Sequence, residues 1–199
     1  MNQWHRALAI LTLTAALPIA AQQPATYIID AAHSSVQFSV RHMMVSNTKG
    51  EFGKFEGIIA YDPKNPAASR VDVSIDAATV NTREPKRDSD LRGPEFFDVA
   101  KYPTVTFRSK QVTKSGDTLL VKGDLTIRNV TKEVVLTVEG PTPEVKDQRG
   151  RLKIGAAATT KVNRREFGLL YNQLLETGGV VVGDEVTITL EIEAARKQQ

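Results

Sequence analysis

Apolar and polar residues alternate along most of this chain. In SSVQFSVRH, Ser34 to His42, the residues Val36, Phe38, Val40 and His42 share one parity and polar residues occupy the other. A period of two puts alternate side chains on opposite faces, so this pattern predicts a β-strand with one buried face. Seven later segments are also predicted strands: 50–62, with glycines that indicate bends, and then 70–76, 104–112, 118–127, 133–140, 152–162 and 184–194.

Short turn-forming sequences join most of these segments. Short turns imply antiparallel neighbours, and many strands without long amphipathic helices imply a sandwich or a barrel. A closed barrel removes exposed strand edges. The patterns therefore predict an all-β domain built as an eight-stranded antiparallel barrel, with one or two short helices.

The inward-facing volume of such a barrel decides whether its lumen is filled by side chains or holds a ligand. In GAAATT, Gly155 to Thr160, both parities carry small residues, and Gly123 interrupts an inward face. A thin wall would leave an apolar space that favours an apolar guest. The alternative, that a helix or a large side chain fills the space, stays open at this point.

The segment from Arg87 to Pro103 does not alternate. Lys86 to Arg92 is predicted to form a short helix, and Pro94 suits the first turn of a second one. Phe96, Phe97 and Val99 should be buried beneath this otherwise polar segment, because exposed adjacent aromatics are unfavourable. The segment is either a plug on one end of the barrel or a cap on a cavity, with Phe96 or Phe97 touching a guest.

Residues 1–21 have the plan of a secretory signal peptide. A short head containing Arg6 precedes an apolar run from Ala7 to Leu17, and Pro18 and small residues follow. The run is about half the ~20 residues that a bilayer span needs. We expect cleavage after Ala21, a mature domain of residues 22–199 without stable membrane insertion, and a periplasmic or secreted protein. The sequence contains no cysteine, so disulfides and a lipoprotein anchor are excluded.

Composition and charge are consistent with a single globular domain. The 199 residues are 41% hydrophobic and 25% charged, which is typical of a globular protein. Without Arg6 the chain has 25 basic and 23 acidic residues, and the two signs are interspersed. This argues against a nucleic-acid partner.

The chemistry-bearing residues give weak signals. His33 and His42 are the histidines of the mature domain; with no cysteine and no closely spaced histidine pair, no metal site or cofactor is predicted. No G-x-S-x-G sequence is present, so a serine hydrolase is disfavoured. An enzyme with His33 or His42 as a base and a solid-core interaction protein stay as alternatives. Arg164 or Arg165 is interpreted as an ion-pair partner for Asp88 or Asp98, and 169–179 either as a loop packed on the barrel or as a mobile lip that admits lipid.

Several of these segments resemble the YceI-like family of exported lipid-binding proteins. The resemblance rests on YIIDAAHSSVQFSVRHMMVSNTKGEFGKFEGIIAYDP, VDVSIDAATVNT, RDSDLRGPEFFDVAKYPTVTFRS, VKGDLTIRNVTKEVVLTV, RREFGL and VGDEVTITLEIEA, in family order. It implies an extended, lipocalin-like, eight-stranded barrel in a bacterial periplasm or outside the cell. It also implies that the lumen holds a long apolar chain such as a polyisoprenoid, an isoprenoid quinone or a fatty acyl derivative.

A binding protein of this kind, not an enzyme, is the function we expect. The candidate lining residues are Phe38, Phe52, Phe55, Phe96 and Phe97, and the candidates for the polar end of the ligand are His42 and Arg87. The family commonly has RDxHL where this chain has RDSDL, so Asp90 replaces a histidine. An aspartate there would disfavour an anionic head group and tolerate a neutral one. Whether the protein is a monomer or a homodimer is left open.

Overall fold

The computed structural model describes residues 23–175 and 179–198, so the predicted signal peptide lies outside the described residues. The described residues form twelve strands, one α-helix and four short 3-10 helices. The strands are β1 (Ala25–Ile29), β2 (Ser35–His42), β3 (Ser46–Phe52), β4 (Phe55–Tyr61), β5 (Arg70–Asp76), β6 (Val80–Asn81), β7 (Thr104–Ser115), β8 (Thr118–Ile127), β9 (Val130–Glu139), β10 (Val145–Lys146), β11 (Leu152–Asn163) and β12 (Val182–Arg196). The helix α1 is Pro85–Arg92, and the 3-10 helices are Ala31–His33, Pro66–Ala68, Ala77–Thr79 and Arg164–Phe167.

The strands form a closed antiparallel barrel. The sheet closes because β12 pairs with β11 along one edge and with both β1 and β2 along the other. β1 and β2 act as one interrupted strand, and so do β3 with β4 and β5 with β6. Eleven strands thus fill eight positions around the barrel, and β10 is appended to β11. The predicted fold class is confirmed.

Two local predictions are wrong in detail. The strand expected over 50–62 is two strands, because the chain leaves the ladder at Gly53 and Lys54. The second helix expected after Pro94 does not form, and successive turns run from that residue to Lys101. Asp98 adopts a positive φ of 50°, which interrupts any right-handed helix at that residue.

The connections fall into two sets at opposite ends of the barrel. The α1 end carries the turn 43–45, the segment 82–103 with α1, the turn 128–129 and the described parts of the connection from β11 to β12, residues 164–175 and 179–181. The opposite end carries the described termini and the connections 62–69, 116–117 and 140–151. None of the helices among the described residues is long and apolar enough to cross a membrane.

Inward side chains form one main hydrophobic cluster. On β8 every second residue from Leu119 to Ile127 is buried, so the period of two in the sequence matches the pleat. A second, smaller buried cluster of Tyr27, Ile154 and Ala194 lies toward the opposite end, with Ile59 and Tyr61 packed against it. These three residues occupy the inward parity of their strands.

Candidate functional site: the apolar cavity of the barrel

A cavity of about 260 Å³ lies inside the barrel. A buried water needs roughly 10–15 Å³ of such space, so the cavity has room for a much larger molecule. Nearly all of the described residues that line it are aliphatic or aromatic; the polar ones are Gln37, Tyr61, Ser69, Thr160 and Arg164. An apolar space of this kind favours an apolar guest, because its lining atoms otherwise lack dispersion partners.

Small residues on β11 contribute to this space, as the sequence predicts. Ala156, Ala158 and Thr160 line the cavity. Ala158 pairs with Leu190 on β12 and with Val138 on β9, and both of these larger side chains also face the cavity. The wall is therefore thin along β11 and thicker on the strands beside it.

The expectation for Gly123 is wrong, because this glycine does not leave room for a ligand. A Cβ atom at Gly123 would lie 2.6 Å from Cζ of Phe107 and 2.5 Å from the carbonyl oxygen of Arg108. The ring of Phe107 thus occupies the space that the glycine provides. Gly123 is needed for close packing of the wall and not for the width of the lumen.

All five phenylalanines predicted to line the lumen do so in the structure. Phe38, Phe52 and Phe55 project from the wall, and Phe96 and Phe97 project from the segment that follows α1. The ring centroids of Phe38 and Phe52 are 5.8 Å apart, and those of Phe52 and Phe97 are 5.6 Å apart. An aromatic series therefore runs from the wall to the α1 end. That these rings contact a ligand stays a prediction.

The segment that carries Phe96 and Phe97 is anchored by a buried polar group. The Asp88 carboxylate accepts hydrogen bonds from the backbone N–H of Thr82 at 2.7 Å and from its hydroxyl at 2.6 Å. Further on, the Phe97 N–H donates to the Leu91 carbonyl at 2.9 Å. Leu91, Phe96 and Phe97 are held against the cavity in this way. The segment is therefore a cap on a cavity.

Arg164 forms the other half of the α1 end. Its guanidinium donates to the carbonyls of Leu169, Tyr171, Val182 and Gly183 and to the Asp184 carboxylate, at 2.6–3.2 Å. Burial lowers the pKa of the Arg164 guanidinium, and the Asp184 charge opposes that shift. The five donors of a guanidinium are all engaged, so Arg164 fixes the chain around it although it touches the cavity.

These contacts correct the predicted ion pairs. Arg164 and Arg165 pair with Asp184, not with Asp88 or Asp98. Asp98 pairs instead with Lys101. The loop that follows Arg164 packs on the barrel as predicted: Leu169 is buried in the cavity wall, and the Tyr171 ring centroid lies 4.9 Å from that of Phe96. Residues 176–178 of that loop lie outside the described residues.

His42 and Arg87 do not reach the cavity lining. His42 has the parity of Val36, Phe38 and Val40, but the cavity ends at Val40 and the His42 partner Val182. The Arg87 side chain is turned toward Thr82, donating from Nε to its hydroxyl at 2.7 Å and from Nη2 to its carbonyl at 3.0 Å. Both lie at the α1 end, and their contact with a ligand head group stays a prediction.

At the opposite end of the barrel, Tyr27 of the second cluster also makes a polar contact through its hydroxyl group. The Tyr27 hydroxyl donates to Glu144 at 2.8 Å, and Arg196 pairs with the same carboxylate at 3.2 Å. Burial, and then the hydrogen bond to Glu144, raise the pKa of Tyr27 to about 12. The cavity also reaches toward this end, because Ser69 and Pro141 of its connections line it.

One group among the described residues has metal-binding residue types. Asp30, His33 and Glu193 lie close together. The Lys153 ammonium pairs with both Asp30 and Glu193, and these carboxylates raise the pKa of Lys153. An ammonium in this position competes with a metal ion for the same oxygens. The group lies away from the cavity, and the expectation of no metal site stays a prediction.

Comparison with known proteins identifies the family. A model of the YceI-like domain matches residues 27–194, which is nearly the whole barrel. The chain belongs to this family. A UPF0312 protein of Vibrio cholerae is 39% identical over 162 residues, covering 80% of this chain and 85% of the relative.

Solved structures show the same YceI-like fold. A Campylobacter jejuni YCEI protein is 32% identical with a TM-score of 0.66, over 79% of this chain and 90% of that one. A polyisoprenoid binding domain from Saccharophagus degradans is 16% identical with a TM-score of 0.60, over 87% of this chain and 99% of the other. At this identity the second likeness shows the fold alone.

Proposed function

We propose that this YceI-like protein binds one long apolar chain in its barrel, as a carrier or a sequestering protein. The observation that carries the proposal is the cavity itself, with its almost wholly apolar lining. The candidate ligands are a polyisoprenoid, an isoprenoid quinone or a fatty acyl derivative. The Saccharophagus domain is named as polyisoprenoid binding, and the apolar cavity of this chain supports a ligand of that kind.

The tail of the ligand, and not its head, is proposed to supply most of the affinity. Each buried methylene contributes about 0.8 kcal/mol, so a long tail binds tightly with few hydrogen bonds. The one charged group in the described lining, Arg164, has its donors engaged by the protein. The head group would then lie at the α1 end, where His42 and Arg87 are the candidate polar contacts.

Binding is favoured over catalysis by the position of the histidines. Neither histidine among the described residues lines the cavity, and His33 is an exposed partner of Asp30. A base at either position would not reach a tail bound in the lumen. A solid-core interaction protein does not fit the cavity.

Export is part of the proposal. The signal-like sequence of residues 1–21 supports a periplasmic or secreted protein. Cell fractionation together with N-terminal sequencing tests it. We expect a mature chain that begins at Gln22; an unprocessed chain in the cytoplasm would contradict export without touching lipid binding.

The binding experiment uses protein stripped of lipid and a series of isoprenoid alcohols of increasing length. The series lengthens by five-carbon units, and we expect Kd to fall by about fourfold for each added carbon that is buried, until the cavity is full. Phe96→Ser with Phe97→Ser should weaken binding, because it places two hydroxyls on the cavity. Val145→Ser, an exposed position at the opposite end, is the control. Affinity that does not depend on chain length would contradict the proposal.

A further inference from the structure

Exposed apolar side chains are concentrated at the α1 end of the barrel, where Leu91, Phe96, Phe97 and Leu169 line the cavity. Among the described residues the large apolar side chains with more than about two fifths of their surface exposed are Ile28, Met43, Met44, Val45, Ile58, Val135, Val145, Leu170 and Leu174. Five of these belong to two segments at the α1 end. We call Met43, Met44, Val45, Leu170 and Leu174 the apolar rim; Val45 is 75% exposed and Leu174 is 85% exposed.

The two segments of the apolar rim lie side by side. The Met43 N–H donates to the Val181 carbonyl at 2.8 Å, and a Cβ at Gly179 would lie 3.5 Å from Cγ of Met44. Leu174 forms an isolated bridge with Val180. The rim is thus one surface held by backbone hydrogen bonds.

Turn chemistry does not explain the methionines of the rim. The Val45 N–H donates to the His42 carbonyl at 3.1 Å, and Met43 and Met44 have φ angles of 49° and 61°. This is the geometry of a primed hairpin turn, which favours Asn followed by Gly. Non-glycine residues in this left-handed region are strained. Two methionines are therefore poor choices for the turn itself.

Burial does not explain them either. Met43 and Met44 are 45% and 55% exposed, so the folded chain gains little from their apolar surface. The cavity wall, in contrast, continues directly into the rim. Leu169 is buried in the lining while the next residue, Leu170, is 59% exposed. An apolar path thus leads from the rim to the lumen.

We propose that the apolar rim inserts into the surface of a lipid bilayer, so that an apolar chain passes between membrane and cavity without crossing water. This proposal rests on the proposed lipid-binding function. Methionine side chains are flexible and polarizable, and they adapt to a fluid apolar surface. Arg41 is exposed, and its Nη2 donates to the Met44 carbonyl at 2.9 Å, which places a cation at the base of the rim. Arginine at this level suits the head-group region of a membrane.

A protein partner fits the rim less well. A stable protein interface uses about 20–30 residues on each side, and aromatic residues, Met and Arg are enriched in it. The rim offers five aliphatic or thioether side chains. Insertion of five side chains gives weak, reversible membrane binding, which suits transfer of a ligand and not permanent anchoring.

The most informative variant replaces Met43 and Met44 by Asn and Gly, the residues that this type of turn favours. Met43→Asn with Met44→Gly should raise the urea midpoint of unfolding, since both residues tolerate a positive φ. The same variant should bind phosphatidylcholine vesicles about tenfold more weakly in a flotation assay, because two inserted side chains are lost. Ile58→Ser with Val145→Ser removes exposed apolar side chains elsewhere and should float like the parent chain.

A depth measurement gives a second test. Trp4 is the one tryptophan of the sequence and lies in the predicted signal peptide, so Met44→Trp leaves the mature chain with a single tryptophan. With vesicles of brominated phosphatidylcholine we expect quenching and a blue shift at Met44→Trp and neither effect at Val145→Trp. Equal behaviour of the two probes would overturn the proposal.

The failures of the two proposals are distinguishable. Ligand affinity is measured in solution without vesicles, and the Met43→Asn/Met44→Gly variant should keep it while losing vesicle binding and rapid transfer. A parent chain that binds isoprenoid alcohols but does not float overturns the membrane proposal alone. A concentration-dependent dimer in sedimentation that the variant abolishes assigns the rim to a second copy and also overturns it. Absence of ligand binding overturns the proposed function.

Discussion

Replacing Ala158 by leucine tests whether the lumen has room to spare. Ala158 is 9% exposed, faces the cavity and pairs with Val138 and Leu190. The substitution adds three carbons to the inner wall. Whether those carbons meet open space or packed atoms decides the sign of two measurable changes.

The size of both changes follows from the transfer of three carbons. If the carbons enter the cavity, their burial contributes about 2 kcal/mol, and the lost rotamer freedom of leucine reduces this by about 0.5–1 kcal/mol. The lipid-free protein should therefore become about 1–2 kcal/mol more stable. A long apolar ligand loses space for about three methylenes, or about 2 kcal/mol, which raises Kd by about thirtyfold.

Urea unfolding of lipid-free protein and titration with an isoprenoid alcohol measure these changes. The matched control is Ala157→Leu, one residue away on the outer face opposite Glu139 and Glu191. The control should leave affinity unchanged and alter stability by less than about 0.5 kcal/mol. In a solid interior Ala158→Leu would instead destabilise by about 1–3 kcal/mol. That loss of stability with unchanged affinity would refute the reasoning.

Three further predictions concern the walls and ends of the barrel. Arg164→Ala removes five hydrogen bonds and should lower the free energy of unfolding by about 3 kcal/mol. Replacing the exposed Arg165 by Ala should change this free energy by less than about 0.5 kcal/mol. Equal effects of the two substitutions in urea unfolding would contradict the anchoring role of Arg164. Gly123→Ala should cost about 1–3 kcal/mol, because its Cβ meets the Arg108 carbonyl, whereas Gly53→Ala has only contacts of 3.8 Å or more and should be milder. The pKa of Tyr27 is raised from 10.0 to about 12, so the folded protein keeps this proton to a higher pH than the unfolded chain does. The resulting stabilisation is present below pH 10 and is lost as the pH rises toward 12. Tyr27→Phe should therefore flatten this part of a plot of stability against pH.

Strands with one apolar face could be predicted from the sequence, and strands with two could not. β8 has the predicted bounds, because its inward residues alternate with outward ones that are polar except for Leu120. β1 was not predicted, because Ile28 points outward beside its exposed cross-strand partner Ile58 and is also apolar. Apolar and polar residues therefore do not alternate along this strand. The break at Gly53 escaped because a glycine indicates a bend without indicating whether the ladder is interrupted.

The cavity lining could be predicted better than its polar contacts. Parity placed Phe38 inward, but parity carries no information on where a cavity ends along a strand, so it could not show that His42 lies beyond the cavity lining. Arg164 escaped because four of its partners are backbone carbonyls, and a sequence gives no signal for them. Its acidic partner, Asp184, is twenty residues away and was not distinguishable from Asp88 or Asp98.

The most direct measurement is extraction of the purified protein. The chain is produced in a bacterium with its own N-terminal sequence, purified without detergent and extracted with organic solvent, and the extract is analysed by mass spectrometry beside that of the Ala158→Leu variant. The account predicts a long-chain apolar lipid near one molecule per protein, and less of it in the variant. Protein that yields no lipid, and that binds none of the isoprenoid alcohols when they are added, would contradict it.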